Sequence, residues 1–231
     1  MEFSIENYLL KSLSFLAFVS ADEAKMLRAN MVRKEFAKGE YICKEHTQSK
    51  GIYIIRKGKV KAFQTRTDGG QSIVYFFRRG DFFGHRPVLA NEPYPISAVA
   101  LDAVVVSYIS KDLFLKVLSE SETLARNLLV NLSKEFSVWV NKMTVFATYN
   151  VKSRVALSLL ILHKVFERSD NDPRRTPISI SRDDFADYVG TAKETLVRTL
   201  RYFKDEGIIT TNRTQITILK LRTLQHMAEN M

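Results

Sequence analysis

The sequence predicts an α+β protein with three parts: an N-terminal β-roll, a long helix and a C-terminal winged helix-turn-helix. Three observations lead to this prediction. Short β-rich runs broken by glycine occupy the first half, and about thirty residues without Gly or Pro follow. The last third combines a helix-turn-helix pattern with a β-hairpin. We predict domains at residues 1–118, 119–150 and 151–231.

The composition limits the partners and the cofactors. The 231 residues include 35 Lys and Arg against 25 Asp and Glu, and the net charge of +10 favours a polyanionic partner. Cys43 is the single cysteine, so one chain can form neither a disulfide nor a cysteine-rich zinc or iron–sulfur site. We interpret Cys43 as a small residue in or near a strand rather than a redox sensor. With no membrane-length apolar run and no basic signal segment, we expect a cytoplasmic protein without a membrane partner.

The first half alternates between strand and turn signals. An amphipathic helix is predicted over the opening residues MEFSIENYLLKSLSFLAF, and a second helix near Ala21–Met31. Asp68-Gly69-Gly70 is a hairpin signal between two strands, and many short strands at near-regular spacing indicate a small barrel or roll. The candidate strands are Ile52–Arg56, Lys59–Thr65, Ile73–Phe77 and Val104–Ile109.

Residues 181–207 have the pattern of two short helices joined by a tight turn. Ser181 can cap the first helix, and Gly190 supplies the free backbone angles of the turn. Thr191 and Glu194 have the spacing of a capping box at the start of the second helix. Gly207 can end that helix in the left-handed conformation.

The second of these helices has two different faces. An apolar face, predicted to pack on a core, consists of Leu196, Leu200 and Phe203. The opposite face consists of Glu194, Val197, Arg198 and Arg201, with Lys193 near the exposed start. Such a helix suits the DNA major groove, where Arg reads guanine and a carboxylate accepts from cytosine. The alternative is an amphipathic surface helix with ordinary solvated charges.

The flanking segments complete a winged domain. Val151–Phe166 is predicted as a helix after a hinge at Tyr149–Val151, and a polar surface loop is predicted at Arg168–Pro177. A short strand is predicted at Ile178–Ile180. The wing is predicted from the β-branched runs Ile208–Thr210 and Gln215–Leu219. Arg213, near the tip of the wing, either reaches a phosphate or is an idle exposed side chain.

A long helix between the halves carries an apolar seam of Leu124, Leu128, Leu132, Phe136, Trp139, Met143 and Phe146. The seam recurs every three or four positions along a helix of about 40 Å. Its length and its bulky Phe and Trp residues favour a dimer interface. Packing along its own domain is the alternative.

Three sequence pieces in order, Lys38–Ile42, Ile52–Val60 and Gly80–Gly84, resemble the cyclic-nucleotide-binding β-roll, a double-stranded β-helix or jelly roll. Together with the helix-turn-helix, nearly the whole chain resembles the cyclic-AMP receptor protein / fumarate-nitrate regulator family of bacterial transcription factors. This resemblance implies a homodimer on palindromic double-stranded DNA, and contact with RNA polymerase if the protein is an activator.

The ligand cassette departs from the cyclic-AMP pattern of that family. His85 stands where the ribose-binding Glu is expected, and Ile96 stands where the phosphate-binding Arg is expected. Losing that cation costs roughly 2–5 kcal/mol, so we do not expect cyclic AMP in the usual pose. Arg86 either supplies a cation for another anionic effector or is solvated or ion-paired. The candidate pocket residues are Phe83, Gly84, His85, Arg86 and Ser97.

The sequence does not identify a cofactor. Heme on His85 is disfavoured, because a lone His is more often a polar pocket or surface residue. The iron–sulfur cluster of the fumarate-nitrate branch needs several cysteines, so one cysteine excludes that arrangement within one chain.

The family pattern Arg/Thr-Glu-Thr-x-x-Arg resembles residues 193–198 of this chain. The resemblance implies that Glu194 and Arg198 contact base edges in a half-site like TGTGA or TTGAT, and that Thr195 and Lys193 contact the backbone. Val197 stands where relatives carry Gly or Ser, so it either meets a thymine methyl or shifts the preferred base.

Two other classes of function compete with a transcription regulator. In the first, a ligand-binding signalling module docks a protein through its helix-turn-helix, but Arg198, Arg201 and Arg213 argue against it. The second is an enzyme. The sequence has no G-x-S-x-G, Walker or H-E-x-x-H motif. The four histidines, His46, His85, His163 and His226, are scattered, and we predict no enzymatic activity.

Overall fold

The computed structural model of the chain describes residues 4–9, 15–167 and 177–229. The chain forms two compact units. The first unit contains Leu10–Thr65 and Val74–Phe136, and the second contains Met1–Leu9, Arg66–Ile73 and Ser137–Met231. Within the described ranges, no helix is long and apolar enough to cross a membrane. The three predicted domain ranges stay a prediction.

The β-roll consists of two four-stranded sheets, with strand orders β1-β8-β3-β6 and β2-β7-β4-β5. In the first sheet β8 pairs antiparallel with β1 and β3, which places Ile54 opposite Ser107. All four predicted strands are confirmed, each to within two residues at either end. The strands of the two sheets are β1 (Val32–Phe36), β2 (Tyr41–Cys43), β3 (Gly51–Lys57), β4 (Val60–Thr65), β5 (Gln71–Phe77), β6 (Phe82–Phe83), β7 (Ser97–Ala100) and β8 (Val104–Ser110).

Helices cover the roll and close its core. They are α1 (Ala21–Asn30), α2 (His85–Ala90), α3 (Lys111–Glu120) and the start of α4 (Glu122–Thr148). A Ser20–Glu23 capping box begins α1, the helix that the sequence predicts there. The core is built from large apolar side chains of strands and helices together: Phe15, Leu27, Ile52, Ile54, Phe82, Ile109, Phe114 and Leu124.

The amphipathic helix predicted at the N-terminus is wrong for the described residues. Those residues form two short 3-10 turns, Ile5–Asn7 and Phe15–Phe18, while Ser4 has extended backbone angles. Phe15 and Phe18 are buried and contact the Phe82 ring edge-on, with centroids 5.4 and 6.0 Å away. Phe15 and Phe18 lie three positions apart in one 3-10 turn, so this short turn is enough to bring both rings to Phe82.

Helix α4 is continuous, but its predicted apolar seam is divided between two environments. Leu124 and Leu128 are 0% and 2% exposed and belong to the core of the first unit, with Leu132 packed against them. Their assignment to a dimer interface is therefore wrong. Further along, Trp139 is half-buried, and Phe136 is 70% exposed. Another set of α4 side chains is exposed as well: Leu129, Val130, Val140, Met143 and Phe146.

The second unit contains α5 (Val151–Phe166), α6 (Arg182–Val189), α7 (Lys193–Asp205) and α8 (Leu221–Glu229). Its sheet has the order β10-β11-β9, formed by Ile209–Asn212, Gln215–Ile218 and Ile178–Ser179. The predicted helix after the hinge and the predicted wing are both confirmed. The predicted polar loop at Arg168–Pro177 lies outside the described residues, except for Pro177.

The caps of the helix-turn-helix agree with the prediction at three points and differ at one. The Ser181 hydroxyl accepts from the Asp184 N–H, while Gly190 and Gly207 have φ angles of 68° and 61°. Helix α7 is capped by Ala192 without a side-chain bond, so the predicted Thr191–Glu194 capping box is wrong. The Thr191 N–H donates to the Ala186 carbonyl, which keeps Thr191 in the turn and starts the helix one residue later.

Gly84 lies where two backbone segments of the roll approach each other closely. Its φ angle is 91°, and a Cβ atom there would lie 2.6 Å from the Gly51 carbonyl oxygen. L-residues avoid this φ region, and a backbone oxygen cannot move aside as a side chain can. Gly84 follows β6 and is the N-cap residue of α2, so its conformation sets the direction in which α2 leaves the sheet.

We predict that Gly84→Ala destabilises the protein more than Gly80→Ala. Gly80 has a similar φ of 96°, but a Cβ atom there would have no other group within 4 Å. Both changes incur the left-handed strain of about 1–2 kcal/mol, and Gly84→Ala adds an overpacking cost on the order of 1–3 kcal/mol. Urea unfolding followed by circular dichroism measures the difference. Equal losses for the two variants would contradict the close approach.

Candidate functional site

One face of helix α7 is exposed and polar, and the opposite face is buried. Leu196, Leu200 and Phe203 are at most 4% exposed, as the sequence predicts. The exposed side chains recur at helical spacing on the other face: Glu194, Val197, Arg198 and Arg201. Because three members are charged and none is needed in the core, this face is available to a partner.

The charged side chains around this face are held only loosely. Lys193 forms an ion pair with Asp183, with Nζ 2.7 Å from Oδ1. Arg198 Nη2 donates to the Thr195 hydroxyl at 3.4 Å, and Arg201 Nε lies 3.9 Å from a carboxylate oxygen of Asp205. Such exposed contacts contribute little to stability, so these cations can be redirected to a partner at small cost.

The wing ends in a two-residue turn at Arg213 and Thr214, between β10 and β11. Arg213 has a φ of 51° and an exposed side chain. Arg182, the first residue of α6, donates from Nη2 to the Arg213 carbonyl at 3.1 Å. This hydrogen bond ties the tip of the wing to the helix-turn-helix and holds Arg213 in a defined place.

A pocket of about 530 Å³, including its open mouth, lies within the first unit. Its apolar walls consist of Cys43, Tyr75, Phe77, Phe82, Phe83, Pro87, Tyr94, Pro95 and Ile96. Gly84, His85, Arg86 and Glu135 complete the lining. We call this cavity the roll pocket.

Three charged or titratable side chains meet at one end of the roll pocket. Glu135 Oε1 accepts from the Asn131 amide at 2.8 Å and lies 3.6 Å from His85 Nε2. Its other oxygen lies 3.8 Å from Arg86 Nε. His85 is 4% exposed, and neither of its ring nitrogens has a hydrogen-bond partner among the described residues.

Burial raises the pKa of two groups that line the roll pocket, Cys43 and Tyr75, whereas the pKa of Glu135 is lowered. Burial alone would raise the pKa of the Glu135 carboxyl, but His85, Arg86 and Asn131 together hold it below its ordinary value. The carboxylate is therefore charged at neutral pH. Burial raises the pKa of the Cys43 thiol to about 12 and also raises the pKa of Tyr75. Cys43 is consequently an unreactive thiol at neutral pH, as its structural interpretation requires.

Four of the five pocket residues that the sequence predicts line the roll pocket in the structure. Phe83, Gly84, His85 and Arg86 line the roll pocket, but Ser97 does not. The Ser97 hydroxyl instead accepts from the Glu45 N–H at 3.1 Å, because β7 turns this side chain toward the neighbouring loop. Arg86 is ion-paired with Glu135, which is one of the two alternatives that the sequence leaves open.

Sequence reasoning missed Glu135 and the aromatic walls formed by Tyr75, Phe77 and Tyr94. A polar residue inside an apolar helical run is the only signal that could have drawn attention to Glu135. Among the described residues, no group of three or more His, Cys, Asp or Glu side chains could hold a metal ion.

Comparison with known protein families gives two matches along the chain. Residues 33–121 match the family described as "Cyclic nucleotide-binding domain". Residues 153–227 match the family described as "Crp-like helix-turn-helix domain". The first range contains most of the roll pocket, and the second contains α7 and the wing.

Curated relatives are similar along most of the chain. The fumarate and nitrate reduction regulatory protein of Yersinia pestis is 25% identical over 198 residues, covering 86% of this chain and 79% of the relative. The protein of the same name from Escherichia coli K12 is 24% identical over 196 residues, covering 85% and 78%. These relatives are regulators rather than enzymes.

Solved structures share the fold. FixK2 from Bradyrhizobium japonicum aligns with a TM-score of 0.76 at 22% identity, covering 87% of this chain and 98% of FixK2. The c-di-GMP responsive global regulator CLP of Xanthomonas campestris aligns with a TM-score of 0.70 at 17% identity, covering 86% and 99%. With a nucleotide-binding-type roll, a Crp-like helix-turn-helix and regulatory relatives, the chain belongs to the cyclic-AMP receptor protein / fumarate-nitrate regulator family of DNA-binding transcription regulators.

Proposed function

We propose that this regulator is a cytoplasmic homodimer that reads a palindromic DNA site under the control of a small effector bound in the roll pocket. If it is an activator, it also contacts RNA polymerase. The single observation that carries the proposal is the exposed polar face of α7, backed by a fully buried apolar face. A helix held in this way presents its side chains to the major groove without disturbing its own core.

The chemistry of this face suits base recognition. Arg198 can donate two hydrogen bonds to guanine, and Glu194 can accept from the cytosine amino group. Val197 is 46% exposed, so its methyl groups can meet a thymine methyl. Lys193, Thr195 and Arg201 flank these residues and supply phosphate contacts, which position the helix without reading sequence.

The exposed apolar side chains of α4 support a second copy of the chain as the partner of this helix. Phe136, Val140 and Met143 are 70%, 45% and 66% exposed, and Leu129 continues their line seven positions earlier. The spacings of seven, four and three residues are those of a coiled-coil seam. A row of large apolar side chains this exposed marks an interaction surface. A symmetric dimer explains it with one chain, and it also matches a palindromic DNA site.

The polar end of the roll pocket argues against cyclic AMP in its usual pose. The cyclic phosphate requires a cation, but the Arg86 guanidinium is already beside the Glu135 carboxylate. A phosphate in the same place would meet that carboxylate, and like charges at contact distance are strongly repulsive. His85 offers no carboxylate for the ribose hydroxyl, and Ile96 offers no cation.

Arg198→Ala is expected to weaken binding to the specific duplex and to leave binding to a shuffled duplex nearly unchanged. Each lost guanine contact costs about 1–3 kcal/mol of discrimination, and the dimer loses one in each half-site. The assay is fluorescence anisotropy on palindromic TTGAT- and TGTGA-type duplexes at fixed salt. Arg222→Ala, an exposed change of equal charge on α8, is the matched control. If wild-type protein binds all duplexes alike, a protein-docking role for the helix-turn-helix replaces the proposal.

Arg213→Ala tests whether the wing contacts phosphate. Removing one phosphate contact from each half of a dimer should lower the slope of log K against log salt concentration by about 2, with sequence preference retained. The slope is measured by repeating the anisotropy titrations over a series of salt concentrations. An unchanged slope would show that Arg213 is an idle exposed side chain.

Met143→Glu on α4 should convert the dimer to a monomer, because two carboxylates would be buried opposite each other in the interface. Analytical ultracentrifugation reports the change as a halved mass, and specific DNA binding should fall with it. Val32→Glu places the same charge at a residue of β1 that is 53% exposed and does not belong to the apolar line of α4, so it should leave the mass unchanged. A Met143→Glu protein that remains a dimer would place the interface elsewhere.

A further inference from the structure

The roll pocket has unmet hydrogen-bonding capacity at its polar end. His85 is almost fully buried, yet both of its ring nitrogens lack a hydrogen-bond partner among the described residues. Its Nε2 lies 3.6 Å from Glu135, and Arg86 Nε lies 3.8 Å from the same carboxylate. Both distances are too long for direct hydrogen bonds. These side chains therefore keep hydrogen-bonding capacity that a small polar group in the pocket can use.

At this end of the pocket the Glu135 carboxylate already faces a cation. Glu135 is ionised, and the Arg86 guanidinium beside it supplies the opposite charge. An anionic ligand would place a second negative charge against Glu135, and a cationic ligand would place a second positive charge against Arg86. In a partly buried site, either arrangement is costly. A ligand without net charge avoids both penalties.

The remaining walls are suited to a flat ring. The Phe77 and Phe83 rings are stacked with centroids 5.0 Å apart, and Tyr75 stacks on Phe77 at 5.5 Å. The Phe82 ring lies 4.8 Å from the His85 ring at an angle of 54°. Aromatic walls favour ring-shaped apolar ligands, which bury a large area and can stack or meet ring edges.

We propose that the roll pocket binds an uncharged ring compound that carries one group able both to donate and to accept a hydrogen bond, such as a primary amide. The ring would lie among the aromatic walls. The amide N–H would donate to the Glu135 carboxylate, and the amide oxygen would accept from Arg86 or from a ring N–H of His85. This inference rests on the proposed role of the pocket as the effector site, and it names the class of effector.

Three single-ring probes of nearly equal size separate the effect of charge from that of shape: benzamide, benzoate and benzylammonium. Isothermal titration calorimetry on the full-length protein gives the three dissociation constants at pH 7. Benzamide is expected to bind roughly tenfold tighter than either charged probe, since only it avoids an uncompensated buried charge. Nine non-hydrogen atoms should give benzamide a dissociation constant below about 10 mM.

Two variants and one control variant link the preference for an uncharged probe to the pocket. Glu135→Gln keeps the shape but removes the negative charge, so benzoate should gain roughly tenfold relative to benzamide. Glu122→Gln makes the same chemical change at an exposed position on the same helix and should leave the ratio unchanged. Ile96→Trp puts a larger side chain into the lining of the pocket and should abolish binding of all three probes, with folding checked by circular dichroism.

Several outcomes would overturn the inference. They are benzoate binding to the wild-type protein as tightly as benzamide, a ratio unaffected by Glu135→Gln, and no binding of benzamide up to about 10 mM. Benzamide binding that survives Ile96→Trp would place the site elsewhere. Anisotropy titrations on the same preparations test DNA recognition separately. A loss of specific DNA binding would refute the regulator proposal, whereas the calorimetry bears only on the class of ligand.

Discussion

The continuity of helix α4 is the constraint on which the other features depend. Its 27 residues contain neither Gly nor Pro, so one unbroken helix carries three kinds of contact. Leu124 and Leu128 anchor it in the core of the roll, and Glu135 reaches into the roll pocket. Phe136 and Met143 leave an apolar line exposed. A small rotation of this helix would change all three contacts together, because a helix moves as a rigid element.

Glu135 and Phe136 are neighbours on α4, which gives a short physical link between the roll pocket and the exposed apolar line of the helix. A ligand that engages Glu135 changes the forces on the helix one residue away from an exposed ring. Linkage then requires reciprocity: an effector that strengthens DNA binding must bind more tightly when DNA is present. The structure therefore supplies a candidate two-state element and does not require a long path of contacts between sites.

Much of the fold could be predicted from the sequence, because local chemistry decides it. The structure has its glycine-bounded strands where the sequence predicts them. It also confirms the Ser181 cap and the left-handed conformation of Gly190 and Gly207. The start of α7 was missed by one residue, because a turn hydrogen bond holds Thr191 outside the helix. The environment of α4 was also mistaken: periodicity shows that a side chain is apolar, but it does not show which partner covers it. Glu135 lies fifty residues from His85, and only the fold brings them together.

The close approach of Gly84 to Gly51 also bears on how the roll pocket can change its lining. The backbone at position 84 is confined by a carbonyl oxygen, so no other residue fits there without moving two strands. The side chains of His85 and Arg86 extend from this confined backbone, and Glu135 reaches the same pocket from α4. Single substitutions at those positions can therefore exchange one ligand chemistry for another while the roll keeps its shape. A rigid floor with interchangeable polar groups allows one scaffold to acquire new signals in small evolutionary steps.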